Sequence, residues 1–447
     1  MRAGRLVFLL FSMLQITFSG SDMLSRQNVF NKLHPDAIST PRPTEILFQG
    51  FAWDVTVDGE EGSWYELLGS KARELAKIGV TQVWYPPVSR SVAKQGYMPG
   101  DYYDLGTAED ETFYGNVDEL KASIHEFHKE GIDAIADIVI NHRTASHQED
   151  GVWNVFHHKS GKMWWEKWAL AKGDYGGTGN YDSGGNFQPA PDLDHSNPIV
   201  RRDIINWLRW MKSEIGFDGW RFDFVKGYQG LYVQAYIRAT DPTFAVGEYW
   251  SSMGYQMAST LKPDQDPHRQ LIVDWIDDTR GKARAFDFTT KGILQEATKK
   301  KQYWRLRSRD GNAAGVIGWW PERTVTFLDN HDTGSKQSHW PFPSDHVLEG
   351  YAYILTHPGT PTIFWDHYFE WGDFYRAKIR ELAEMRHGLN IHRESKLQIL
   401  EARNNLYVAN VDNKLIIKMG SLAYDPGSEW ESAISGPGYY IWVRKFD

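Results

Sequence analysis

From Glu45 onward, short apolar runs alternate with longer stretches in which apolar residues recur every three or four positions. The first pattern reads as buried strand and the second as amphipathic helix. Ile46-Leu47-Phe48 opens the series as a short strand. Ser63, with Glu66 three residues later, has capping-box spacing. It predicts a helix that turns Leu68, Ala72 and Leu75 inward and ends at Gly79. Val80 to Tyr85 is the next strand, stopped by Pro86 and Pro87. A helix carrying Leu120, Ile124 and Phe127 ends at Gly131, and a buried strand runs from Ile132 to Ile140. Asn197 and Pro198 start another helix, with Ile204, Leu208, Met211 and Ile215 facing inward. Further strands read as Phe217 to Phe224, Phe244 to Tyr249, Ala285 to Phe288, Thr324 to Asp329 and Thr360 to Phe364. That makes eight. Strand–helix alternation of this length implies parallel strands, and eight of them imply a closed (β/α)8 barrel.

Two stretches break the pattern. Between Asn141 and His195 the chain is rich in Gly, Asp, Asn and Trp and has little periodicity. A connection this long inside a compact domain reads as a functional loop or a small subdomain. From Leu397 to Asp447 short alternating runs, Leu406 to Ala409 and Leu415 to Lys418, are separated by the turns Asn404-Asn405 and Asp412-Asn413. This end reads as a small antiparallel sheet. The expected organisation is a barrel over 45–396 with an insert at 141–196, followed by a sheet domain over 397–447.

The chain begins with a basic start, Arg2 and Arg5, an apolar run from Leu6 to Phe18, and small residues Ser19 to Ser21. Residues 1–21 read as a signal peptide for secretion, their apolar run being short for a membrane span, and 22–44 as a polar lead-in. A signal anchor or an organelle-targeting segment is the competing reading. A net charge of −9 over 447 residues argues against nucleic acid as a partner. No cysteine is present, so disulfides, thiol catalysis and thiolate metal sites are excluded. Any structural metal must be held by oxygen or histidine. The 20 tryptophans suit stacking on sugar rings, although most can equally fill a large core.

Reactive groups of a parallel barrel sit at the C-terminal ends of its strands. Polar residues close four of the apolar strands: Asp137 to His142, Arg221-Phe222-Asp223, Glu248-Tyr249-Trp250 and Asp329 to Asp332. Asp223, Glu248 and Asp332 should therefore share one rim. Glycosidic bond cleavage needs one carboxylic acid to protonate the leaving oxygen, and its retaining form needs an ionised carboxylate as nucleophile. Arg221, two residues before Asp223 on one strand, projects to the same side and gives that carboxylate a means of staying charged. Glu248 has no cation beside it in sequence, and Tyr249 and Trp250 follow it, which favours a raised pKa and an acid role. The plainer reading is that each of these acids caps the next helix.

The same four segments, in the same order, resemble the short motifs of glycoside hydrolase family thirteen, the alpha-amylase family, and most of all its plant-type members. Leu47 to Phe51, Gly96 to Gly100, Ala136 to Arg143, Gly318 to Pro321, Asp329 to Ser335 and Tyr351 to Gly359 carry the resemblance. It implies endo-hydrolysis of alpha-1,4 bonds in starch and malto-oligosaccharides. It makes Asp223 the nucleophile, Glu248 the general acid/base and Asp332 the transition-state stabiliser. Arg221, His142 and His331 would contact the cleaved sugar and Tyr97 would stack on it, with Lys226 and Trp250 among the substrate contacts. Trp319 and Trp320 resemble a surface starch-binding pair, although adjacent tryptophans can also pack one in and one out. The insert would hold calcium through Asn141, Asp182 and Asp192 and the carbonyls of Gly185 and Gly227. One ion is expected, because His157 and Asn186 stand where the plant pattern has acids for further ions. A monomer is expected. A glucan-transferring enzyme of the same clan and a non-catalytic glucan-binding protein remain as alternatives.

Overall fold

The structure is a computed structural model that describes residues 44–55, 62–257 and 260–445. The leader at 1–21 and nearly all of the lead-in lie outside the described residues. The eight barrel strands are β1 (Leu47–Gln49), β2 (Gln82–Trp84), β3 (Asp133–Ile138), β4 (Gly219–Phe222), β5 (Ala245–Gly247), β6 (Arg284–Phe286), β7 (Thr324–Thr326) and β8 (Thr360–Phe364). Each pairs in parallel with its neighbours in sequence, and β1 pairs with both β2 and β8, so the sheet closes. Closure buries the strands on both faces, which is why they are apolar runs rather than alternations. The expected barrel is present. Its strands are shorter than the apolar runs, because residues such as Phe224, in left-handed backbone at φ 44°, leave the ladder to form the rim.

Helices α1 (Trp64–Ser70), α2 (Ala72–Lys77), α3 (Val117–Lys129), α4 (Pro198–Trp210), α5 (Gly230–Thr240), α6 (Asp266–Asp278), α7 (Phe288–Lys300), α8 (Val347–Thr356) and α9 (Asp373–Gly388) lie in the connections and after β8. Ser63 forms the expected capping box with Glu66. The single helix expected from Ser63 to Gly79 is nevertheless two. Gly69 lies so close to α3 that an added Cβ would sit 3.1 Å from the Ser123 Cα. Ser70 turns its hydroxyl back to the Leu67 carbonyl at 2.6 Å. Glycine and a back-bonding serine together weaken the helix there. Helix α4 starts at the Asn197 cap as expected, but its last turn, Met211–Ile215, is π-helical and ends on Gly216 at φ 105°.

The chain after the barrel forms a five-stranded antiparallel sheet in the order β9-β10-β11-β13-β12, with β9 (Leu397–Arg403), β10 (Leu406–Val411), β11 (Leu415–Met419), β12 (Trp430–Gly436) and β13 (Tyr439–Arg444). The Asn404-Asn405 and Asp412-Asn413 turns join its first strands, with Asn405, Asp412 and Asn413 in left-handed backbone. Register slips by one residue between Ile399 and Glu401 on β9 and between Ser432 and Ile434 on β12, the two outer strands.

Helix α3 is capped by Asn116, which accepts from Asp118 and Glu119 at 3.1 Å each while Glu119 reaches back to the Asn116 amide at 2.9 Å. Asn116→Ala should lower unfolding free energy by about 1 kcal/mol in urea titrations, with activity per folded molecule unchanged.

Candidate active site

The C-terminal ends of β3, β4 and β5 deliver one cation and three carboxylates to a single point. Arg221, on β4, is fully buried. Its Nη1 donates to Asp137 at 2.8 Å and to Asp223 at 2.6 Å, and its Nη2 lies 2.9 Å from Glu248. The guanidinium rests over the Trp84 ring, 4.8 Å from its centroid. Asp137 also accepts from the Trp84 indole at 3.0 Å and the Tyr97 hydroxyl at 2.7 Å. Both oxygens of Asp137 are thus tied to the barrel, whereas Asp223 and Glu248 keep free oxygens. The Glu248 Oε1 is buried and has no hydrogen-bond partner.

One guanidinium faces three buried carboxyl groups. Burial pushes the Glu248 carboxyl well above the usual carboxylate range. Asp223, Asp332 and Asp137 add to the rise and Arg221 opposes it. The expectation of a raised Glu248 is met, and the structure adds a contact that the sequence does not show. A cation does touch Glu248, and desolvation with like charges outweighs it. Burial also raises Asp137, with Arg221 opposing and Asp223 adding. Asp332 is raised by burial against Arg221, His339 and Gln337. It sits on the loop after β7, its amide bound to Asn330 Oδ1 at 3.0 Å and its carboxylate to Gln337 at 3.1 Å.

An aromatic wall closes one side. Tyr97 stacks on His331 with centroids 4.8 Å apart and on Trp53 at 6.1 Å. Gln49 places its amide nitrogen 3.2 Å from both His331 Nδ1 and the Phe51 carbonyl. That nitrogen can only donate, so Nδ1 accepts and Nε2 carries the ring proton toward the cleft, 3.6 Å from Asp332. Burial, reinforced by Arg221, holds His331 well below the usual histidine range and therefore neutral. His142 is likewise neutral from burial, its Nε2 2.9 Å from the Tyr97 carbonyl and its ring stacked on Phe187 at 3.8 Å.

The remaining expected contacts spread outward. Trp250 stacks on Phe288 at 5.3 Å. Lys226 is exposed, with its ammonium 5.0 Å over the Phe224 ring. Trp319 is 38% exposed with the Arg269 guanidinium 3.3 Å over its ring, and Trp320 is half-buried beside Gly281. Asp137, Gln49, Trp53 and Trp84 had no role assigned from sequence. The one available signal was Asp137, a charge inside an apolar strand.

The insert brings its oxygen donors to the rim. Asn141 donates to Asp192 at 2.8 Å, and its Oδ1 is buried without a partner. A Cβ on Gly227 would meet that Oδ1 at 1.9 Å, so only glycine fits there. The Gly185 amide donates to the Lys226 carbonyl at 2.9 Å. Asp182 is exposed and bonds the Gly184 amide at 3.3 Å. Asp174, absent from the expected set, accepts from the Asp192 amide at 2.6 Å. Burial raises Asp192 to about 7, and Asp174 and Asp182 add to the rise. Among the described residues no ion pair joins these three acids to a cation. An orphaned buried oxygen beside two carboxylates raised by burial, Asp182 and Asp192, fits a hard cation. Among the described residues no three acids or histidines gather closely enough to hold a metal alone, so the amide and carbonyls are needed. His157 lies 3.4 Å from Glu166 and stacks on Trp164, while Asn186 donates to Asp174 and Asp192.

Residues 59–245 match the alpha amylase catalytic domain, and residues 388–443 match the alpha-amylase C-terminal beta-sheet domain. A probable alpha-amylase 2 of Arabidopsis thaliana is 45% identical over 402 residues, 90% of this chain and 94% of its own. The chain belongs to the alpha-amylase family. A second Arabidopsis relative, named alpha-amylase 3, chloroplastic, is 47% identical over 89% of this chain, which spans only 44% of that relative's length. Among solved structures, a cyclomaltodextrin glucanotransferase of three-domain arrangement matches with a TM-score of 0.66 at 16% identity, over 90% of this chain and 100% of that one. An alpha-amylase from Geobacillus thermoleovorans matches at 0.63 and 18%, over 91% and 99%. At these identities the two structures show the shared fold alone. The plant-type alpha-amylase resemblance seen in the motifs thus extends along nearly the whole chain.

The carboxylate coupling has a sign that can be checked. An acid must be protonated to serve, so a raised Glu248 keeps its proton to higher pH and activity is lost as pH rises through that raised value. Asp332 is one of the charges raising it. Asp332→Asn should therefore move the basic limb of residual kcat/KM on a soluble malto-oligosaccharide to lower pH; an unmoved or upward-shifted limb contradicts the coupling.

Proposed function

We propose that this protein is an alpha-amylase that hydrolyses internal alpha-1,4-glucosidic bonds of starch and malto-oligosaccharides with retention of configuration. The observation that carries the reading is the Arg221 guanidinium holding Asp223 and Glu248 on two arms of one ion, at 2.6 and 2.9 Å. Two carboxyl groups bound to one guanidinium lie close together, which suits the roughly 5–5.5 Å spacing of a retaining pair rather than the roughly 6.5–9.5 Å of an inverting one.

Glu248, kept protonated by burial and its acidic neighbours, gives its proton to the glycosidic oxygen as the C1–O bond breaks. Asp223, beside Arg221, attacks C1 and forms a glycosyl-enzyme ester. Glu248, now a carboxylate, takes a proton from water, whose oxygen attacks C1 and releases Asp223. Asp332 faces the developing positive charge on the sugar, and the neutral His331 offers its Nε2 proton to a hydroxyl. Tyr97, locked by Asp137 and backed by His331 and Trp53, supplies the stacking face. His142, Lys226 and Trp250 complete the proposed contacts, and Trp319 and Trp320 form a proposed outer starch-binding pair.

One calcium ion is proposed at Asn141, Asp182 and Asp192 with the Gly185 and Gly227 carbonyls. When bound, it supplies a structural charge that ties the insert to the barrel. The leader supports secretion through its basic start and apolar run. The chloroplast destination in one relative's name favours an organelle-targeting leader as the second reading. We also propose that the protein works as a monomer.

Asp223→Asn and Glu248→Gln should each cut reducing-end release from soluble starch by at least roughly 10²–10⁴-fold while leaving the melting curve cooperative. Near-parental turnover by either variant would refute the assignment. Excess chelator should lower the melting temperature and added calcium restore it, because an ion bound only by the folded state stabilises it. An unchanged melting curve refutes the calcium site.

A further inference from the structure

Helix α7 touches the loops that present Glu248 and Asp332. Lys291 on this helix is completely buried. Its ammonium donates to the Trp340 carbonyl at 2.8 Å and to Gln295 at 2.9 Å, and lies 3.4 Å from Asp329. The Trp340 ring covers it, 4.6 Å from the ammonium. Asp329 in turn closes both ends of the loop that bears Asp332. It accepts from the Thr333 hydroxyl at 2.9 Å at the start of the loop, and from the Phe342 amide at 3.0 and 3.1 Å at its end. His367, bonded to the Tyr351 hydroxyl at 2.9 Å, stands 3.5 Å from the same carboxylate. Within the loop, the Trp340 amide bonds the Thr333 carbonyl and the His339 amide bonds the Asp332 carbonyl. The loop is therefore a closed ring of contacts hung on one buried ion pair.

The next residue reaches the other loop. A Cβ on Gly292 would lie 2.7 Å from the Trp340 ring and 2.0 Å from the Met253 sulfur. Met253 follows Glu248 by five residues. One turn back, Phe288 stacks under Trp250 at 5.3 Å. Helix α7 is thus wedged between the two segments, with no room for one added methyl group.

We propose that Lys291 and Gly292 are positioning residues that set the separation of Glu248 and Asp332: Lys291 by anchoring the Asp332 loop through Asp329 and the Trp340 carbonyl, Gly292 by allowing both loops to close on the helix. Neither touches substrate. Burial has a cost for so enclosed a lysine, and only a partner as confined as Asp329 offsets it. A buried pair of this kind is weak as a source of stability and strong as a device for fixing one arrangement, which is the use the loop makes of it. Catalysis is sensitive to this, since about 1 Å of misplacement far from the chemistry can cost roughly 10²-fold in rate.

The inference rests on the proposed roles of Glu248 and Asp332, and the parental enzyme serves as the control that separates the two. If the parent releases no reducing ends, the functional reading fails. If the parent is active, the variants decide the inference alone. Gly292→Ala leaves every charge in place and adds one methyl at the wedge. The double variant Lys291→Met with Asp329→Asn removes the pair while leaving no charge buried alone. Each is assayed for kcat, KM and the pH profile on soluble malto-oligosaccharide, with circular dichroism as the check on folding. The expected result is a folded protein with kcat reduced about tenfold or more, KM near the parental value, and a basic limb displaced from the parental position, because Glu248 feels Asp332. Parental kcat in folded Gly292→Ala overturns the proposal, as does a loss of rate that follows only the folded fraction with an unmoved limb. Should the double variant fail to fold, Gly292→Ala alone decides between the two results.

Discussion

The site depends on one buried cation. Among the described residues Arg221 is the only positive group bonded within the cluster of Asp137, Asp223 and Glu248, and it is fully buried. A guanidinium suits this task because its planar fork offers fixed donors to several oxygens at once and keeps its charge. Balance is deliberately incomplete. A second cation would add to the opposition of Arg221 and weaken the hold of Glu248 on its proton. No cation at all would make three buried acids too costly to gather. Asp137 is the quiet member of the set: it anchors Arg221 and Tyr97, while the other two carboxylates retain oxygens for chemistry.

The barrel and most of its helices were legible because they follow from hydrophobic period, caps and turn residues. Ser63, Asn197 and the two asparagine-containing turns act where their local chemistry says they should. What escaped was set by contact between segments distant in sequence. Helix continuity at Gly69 was lost to the approach of Ser123 on α3, and no periodicity records that. The same holds at the site. Strand-end position singled out Asp223, Glu248 and Asp332, yet the Arg221 contact to Glu248 crosses from β4 to β5 and is invisible in a linear reading. Gln49, which fixes the tautomer of His331 from 282 residues away, is of the same kind.

The insert at 141–196 is coupled to the cleft through a very short piece of chain. Asp137 binds Arg221, Asn141 binds Asp192, and His142 bonds the Tyr97 carbonyl, all within six residues. Arg143 extends the connection. Its guanidinium is buried among the rings of Tyr102, Phe156 and Trp165 and donates to the carbonyls of Gly100 and Met163. The irregular loop is therefore held by side chains in the first residues after β3, which explains how a segment with little secondary structure keeps a defined shape.

The slipped registers of the C-terminal sheet carry a consequence for the molecule among its own kind. A closed barrel offers a neighbour no unpaired strand, so the five-stranded sheet presents the longest free borders of the described residues. Its two outermost strands, β9 and β12, each carry a bulge, and charged residues Glu401, Arg403 and Glu431 stand along them. A bulge twists a border away from straight pairing, and charges penalise a stranger's backbone drawn alongside. Bulges and charges on both outer strands thus disfavour pairing of this sheet with a neighbour's strand.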